Sequence, residues 1–257
     1  MNRLLRTGLL FFFLIFFIGC AANQEKVSEV LQSHGATQMN RDYQSLIALL
    51  KQYKEKLDLR NPTHYSKSQQ NYIYNDLRQS NNSIRIKYNN AYLRTYDDYL
   101  RIAFDKSPDI KDRNDFLIIG LHKLMWETYQ RDKGHQITTL TYHQEAFNRL
   151  YYYLEVIRWK IRTAKDSNGN YLFLTWQNNW QIELEKRIKQ GTRPSWSMIE
   201  NLSSLQNNTE SLFGASNFNF EVLLSQMIFH VKNSARIIGQ EPVDIGIQAM
   251  ISLVLFL

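Results

Sequence analysis

Cysteine is almost missing from this chain. Cys20 is the single one in 257 residues. One thiol cannot close an intrachain disulfide, so a disulfide-stapled scaffold is excluded and the fold must be held by its core. Glycine (10) and proline (4) are scarce, which disfavours a turn-rich β sandwich. No block of five or six like charges appears, so the charged residues read as solvated helix faces. A Gly-rich phosphate loop and a G-x-S-x-G nucleophile turn are both lacking, and no histidine pair stands at i, i+4 on a helical stretch to hold a metal. What is abundant is aromatic: 15 Tyr, 14 Phe and 5 Trp.

The N-terminus is the most informative stretch. Arg3 and Arg6 supply a positive start, and Leu9 to Ile18 is an unbroken apolar run. Gly19, Cys20, Ala21 and Ala22 follow. A charged start, a short apolar segment and small residues at a cut site are the marks of a secretory signal. The run is too short to span a bilayer, which takes about 20 residues.

Phe17-Ile18-Gly19-Cys20 resembles the lipobox of bacterial lipoprotein precursors, with Phe17 where the family usually has leucine. The resemblance covers the first twenty residues and implies nothing about the body. It implies cleavage between Gly19 and Cys20, a diacylglycerol on the Cys20 thiol and an acyl chain on the new amine, and no other cofactor. Two acyl chains hold a protein to a membrane far better than one. With Ala21 rather than Asp after the cysteine, the family's sorting rule favours the outer membrane, facing the periplasm. The alternatives are an ordinary cleaved signal with an incidental Cys20 and a retained membrane anchor.

Taking residues 1–19 as signal and 20–25 as a short lipidated tether leaves 26–257 as a helical domain. Arg3 and Arg6 leave with the signal, so 29 of the 31 basic residues face 24 acidic ones, a mild positive charge. It would tolerate anionic lipid, glycan or nucleic acid without selecting one. Export argues against a nucleic-acid partner and for another envelope protein.

Apolar residues recur at helical spacing through most of the body. Val27, Val30 and Leu31 start a pattern that stops near Gly35. Tyr43, Leu46, Leu50, Tyr53 and Leu57 mark a helix over 40–58. Residues 63–83 are polar, a helix start or a connection, and the best candidate boundary. Tyr88, Tyr92, Tyr96, Tyr99 and Phe104 predict a helix from Ile84 to Phe104. Helices follow at 112–132 and 141–163, the latter with Phe147, Leu150, Leu154, Ile157 and Ile161 on one face. Asp166 to Asn170 is a turn, with Tyr171 to Thr175 extended after it. Trp176, Trp180, Leu184 and Ile188 line another helix, and Trp196 to Leu205 and Phe220 to Ile238 two more. Residues 242–257, apolar except for Asp244, Gln248 and Ser252, predict a docked core helix or a second membrane contact. The expected architecture is all-α, a multi-helix bundle of eight or nine helices in one or two lobes.

Chemistry is thinly signalled. Asp166-x-Asn168-x-Asn170 has the oxygen spacing of a calcium loop but Tyr171 and Gln177 stand where glycine and a bidentate Glu belong, so a turn is expected. His143 and Glu145, with His135 upstream, and His122 with Glu127, lack metal-binding spacing. Asp97-Asp98 and Glu183-Glu185 could serve glycan cleavage only from a cleft. No catalytic residue and no metal ligand is therefore named. The possible binding surface is aromatic: Tyr151, Tyr152 and Tyr153 cannot all face one side of a helix, and Trp176 and Trp180 lie one turn apart. The expectation is a lipid-anchored binding or scaffolding protein of the cell envelope; the alternative is an envelope enzyme or carrier acting on peptidoglycan, lipid or glycan.

Overall fold

Tyr43, Leu46, Leu50, Tyr53 and Leu57 repeat every three or four positions, and burial of all five turns that spacing into a helix. The computed structural model describes residues 34–79, 81–132, 143–175, 179–207 and 220–239. Helix α1 occupies 34–60 among the described residues and includes Gly35, near which the pattern begun at Val27 was expected to stop. A helical glycine costs about 1 kcal/mol against alanine, little beside the apolar face that follows. The expected helix over 242–257 and the start at Val27 lie outside the described residues.

The fold is an all-α, multi-helix bundle, with nine helices and almost no strand among the described residues. After α1 come α2 (Lys67–Gln79), strands β1 (Lys87–Tyr88) and β2 (Ala91–Tyr92), then α3 (Tyr96–Ala103), α4 (Arg113–Thr128), α5 (Gln144–Thr163), α6 (Asn179–Lys189), α7 (Trp196–Glu200), α8 (Ser203–Gln206) and α9 (Phe220–Ile237). The core draws on α1–α5 and α9. Helices α6 to α8 add nothing to it; Leu202, between α7 and α8, is buried, and Trp196 stands 81% exposed.

One helix was expected from Ile84 to Phe104, and the chain forms a hairpin and a shorter helix instead. Tyr88 and Tyr92 have helical spacing, but Ile84 and Ile86 alternate with exposed Arg85 and Lys87 as a strand does. Asn89 and Asn90 then take φ of 48° and 66°. Both values are left-handed, the geometry of the two-residue turn that pairs Tyr88 with Ala91. Helix α3 starts only at Thr95, whose hydroxyl accepts from the Asp98 amide while the Asp98 carboxylate accepts from the Thr95 amide. Those bonds to Thr95 hold the Asp98 carboxyl below the usual range.

Helix α4 is the hub. It is buried nearly all round, from Arg113 through Met125. A Cβ added at Gly120 would stand 2.8 Å from Leu100 Cγ, so this glycine lets α3 and α4 approach closely. Arg113 donates to the carbonyls of Ala103 (3.0 Å) and Asp105 (2.8 Å), and to that of Ser107, closing the α3–α4 turn. Asn61 ends α1 with an unusual device. Its side-chain oxygen accepts from the Leu174 amide at 2.7 Å and its side-chain nitrogen donates to the Leu174 carbonyl at 3.0 Å. The extended piece 171–175 is thereby docked on α1.

Candidate functional site

Two lysines of the core sit against opposite ends of α4 in opposite electrostatic settings. Lys54, on α1, is fully buried. Its ammonium donates to Asp58 Oδ2 at 2.9 Å and to Asp115 Oδ1 at 2.6 Å. Asp115 Oδ2 accepts from the Ser66 amide at 2.9 Å, and Asn114 Nδ2 donates to Asp58 Oδ1 at 3.1 Å. The rings of Tyr65 and Tyr74 each lie 5.5 Å from the ammonium. Burial raises the Asp58 carboxyl, against the pull of Lys54. The cluster ties α1, the 61–66 turn and α4 together.

Lys123, near the other end of α4, is 4% exposed and has no carboxylate partner within ion-pair distance among the described residues. Its ammonium makes one hydrogen bond, to Asn82 Oδ1 at 2.8 Å, and lies 5.6 Å from the Tyr99 ring. Burial, helped by the charge of Arg85, lowers its pKa to about 8. Beside it His122 is buried with Nε2 unpartnered, and burial lowers its pKa to about 4. Asp76 of α2, whose Oδ2 is also unpartnered, opposes that shift.

Lys123 lines a cleft of about 800 Å³ between the 82–97 segment, the end of α4 and the start of α5. Tyr96 and Trp126 give it aromatic walls; Arg94, Arg149, Asp97, Glu127, Asp132, His143 and Glu145 give it charge and polarity. Some of these are engaged. Arg149 pairs with Glu127 at 3.5 Å and lies over the Tyr96 ring, and Asp97 accepts from the Tyr153 hydroxyl at 3.1 Å. Size and lining suit a small ligand fixed by a few polar groups.

A second polar cluster joins serine, histidine and aspartate without building a nucleophile. Asp42 of α1 accepts from Ser234 Oγ at 3.1 Å and Asn233 Nδ2 at 2.7 Å, and meets His230 Nδ1 at 2.9 Å. Ser234 in turn accepts from the Tyr129 hydroxyl at 2.8 Å. The serine proton goes to the carboxylate, not to the imidazole, and Ser234 is fully buried. A nucleophile needs the reverse on both counts. This chain of bonds fastens α9 to α1.

The aromatic residues singled out from sequence separate. Tyr151 is buried under Lys232, while Tyr152 and Tyr153 are half-buried. The Tyr153 ring meets Tyr96 edge-on at 5.5 Å, which places it beside the cleft. Trp180 is half-buried, and Trp176, like Gly19 and Cys20, lies outside the described residues. Of the two acid pairs, Asp97-Asp98 puts Asp97 in the cleft wall, and Glu183-Glu185 is structural. Glu183 accepts from the amides of Ser203 and Ser204, which pull its pKa to about 2, and Glu185 accepts from the Tyr171 hydroxyl. The Asp166 carboxylate accepts from the amides of Asn168 (2.9 Å) and Asn170 (2.8 Å), so it closes its own turn. Among the described residues no group of three acidic, histidine or cysteine side chains could hold a metal ion. Among them, too, no helix is long and apolar enough to cross a membrane. Comparison with family models, with curated proteins and with solved structures finds no match to this chain.

Proposed function

We propose that this is an exported lipoprotein, held by acyl chains on Cys20 to the periplasmic face of an outer membrane, whose helical body binds a ligand or an envelope protein. The observation that carries the anchor is the placement of the sole cysteine directly after an apolar run and Gly19. The binding role draws on the cleft beside Lys123, where Lys123, Arg94, Asp132 and Glu145 line an open volume. The test is incorporation of labelled palmitate into the full-length protein, with Cys20→Ala as control, followed by membrane fractionation. Label in the parent alone, with loss of membrane association in the variant, is the expected result. An unlabelled parent, or a variant that stays with the membrane after salt washing, overturns the anchor. Crosslinked pull-down from detergent-solubilised membranes then separates a protein partner from a small ligand.

A further inference from the structure

We infer that the cleft beside Lys123 binds a short zwitterionic peptide, with its C-terminal carboxylate on Lys123 and Arg94 and its N-terminal ammonium toward Asp132 and Glu145. The inference rests on the binding role proposed above and is independent of the lipid anchor.

The cleft is electrically polarised. At one end the Lys123 ammonium has one acceptor, Asn82 Oδ1, for its three N–H groups. Arg85 donates to the Asn82 carbonyl at 3.0 Å, which brings a second cation to the same corner. Arg94 lines both the cleft and the adjoining depression that it shares with Arg85 and Tyr92. Its guanidinium has no hydrogen bond or ion pair among the described residues. Asp76 acts on Lys123 only through its charge, and a buried ammonium with no carboxylate in contact costs free energy that an incoming carboxylate recovers.

The other end is acidic. Asp132 follows α4 and Glu145 lies in the first turn of α5; both line the cleft, and neither carboxylate has a hydrogen bond or ion pair among the described residues. Between the two ends the opposed charges of Glu127 and Arg149 neutralise each other, and Trp126 and Tyr96 offer apolar surface.

Spacing sets the size of the ligand. Asp132 is nine positions beyond Lys123. Five of those steps belong to α4, which ends at Thr128, and at about 1.5 Å of rise per helical residue they alone separate Lys123 from the acidic end by on the order of 8 Å. An extended peptide advances about 3.3 Å per residue, so a peptide of a few residues spans the gap. A polyanion would meet the acidic end and be repelled, which separates this reading from a phosphate site.

The experiment titrates full-length protein in detergent with tetra-alanine, its C-terminal amide and its N-acetyl form. The free zwitterion should bind tightest, and either blocked form should be weaker by about tenfold. Lys123→Gln should remove the difference between acid and amide; Glu145→Gln should shrink the difference between free and acetylated amine and leave the other intact. Should Lys123→Gln fail to fold, exposed Arg94 takes its place: Arg94→Gln should weaken the free acid more than the amide. Equal binding of all three peptides, no binding by any, or inorganic phosphate binding as tightly as the zwitterion each overturns the inference. A protein that takes up palmitate yet ignores tetra-alanine sinks this inference and leaves the anchor standing; an unlabelled protein that binds the peptide does the opposite.

Discussion

The two ends of α4 handle buried charge in different ways. At its first turn, Asp115 and Asn114 meet Lys54 and Asp58 in a cluster where each charge has a hydrogen-bonded partner. Asn114 Oδ1 is the cluster's one unpartnered buried atom. Toward its last turn, Lys123 has no carboxylate in ion-pair contact among the described residues and feels Asp76 only through its charge, His122 has no hydrogen-bond partner on Nε2, and a cleft opens alongside. The first end is finished and holds helices together. The second is unfinished in the free protein, and an unfinished polar corner that opens on a cavity is where a ligand can contribute what the fold does not.

The comparison can be broken at either end, and the largest effect belongs to the first. Lys54→Met strands two buried carboxylates and should cost about 3–5 kcal/mol in chemical denaturation. A loss under 1 kcal/mol would mean that the cluster holds nothing. Next comes His122. Its folded pKa, about 4, lies below the ordinary 6.5, so the folded state binds fewer protons between those values. The stability it supports is full above pH 6.5 and falls away as pH drops toward 4, by about 3 kcal/mol. His122→Leu should flatten that slope in urea melts run across the window, and an unchanged slope would assign it to other groups.

Gly120→Ala drives a methyl into Leu100 and should cost about 1–3 kcal/mol, read as a lower urea midpoint with unchanged slope. The smallest change in stability is expected at Lys123. Lys123→Met orphans no carboxylate and should stay within about 1 kcal/mol of the parent, in contrast to Lys54→Met. A loss as large as that at Lys54 would reveal a structural lysine and erase the difference between the two ends. The Lys123 ammonium also loses its charge as pH rises through about 8. Affinity for an N-acetylated peptide acid, whose own amine no longer titrates, should therefore fall above that pH, while affinity for the N-acetylated amide stays level.

The helices legible in the sequence are those with a wide or regular apolar face. Phe147, Leu150, Leu154, Ile157 and Ile161 announce α5, and all five are buried. Helix α2 was not legible as a packed element, because it buries only Ile73, Asp76 and Leu77 in an otherwise polar segment. The hairpin hid behind tyrosines at helical spacing, yet Asn89-Asn90 between Tyr88 and Ala91 was a turn signal in plain view. The cleft was less legible still. Its residues run from Asn82 to Arg149 and come together only when α3, α4 and α5 pack. His143 and Glu145 drew notice as metal candidates, and Asp97 as half of an acid pair; none of these readings pointed to the others. Lys123 gave no signal, since a lysine inside an apolar helix reads as a surface charge until its neighbours are known.

Asn61 makes the amide of one residue behave as a peptide unit. It offers Leu174 an acceptor and a donor at once, as a neighbouring strand would. The Leu174 amide should then exchange its proton with solvent as slowly as an amide inside a sheet, and Asn61→Ala should release it. A single proton on the 171–175 segment thus becomes a clock for the C-terminal end of α1, ticking faster whenever that end lets go.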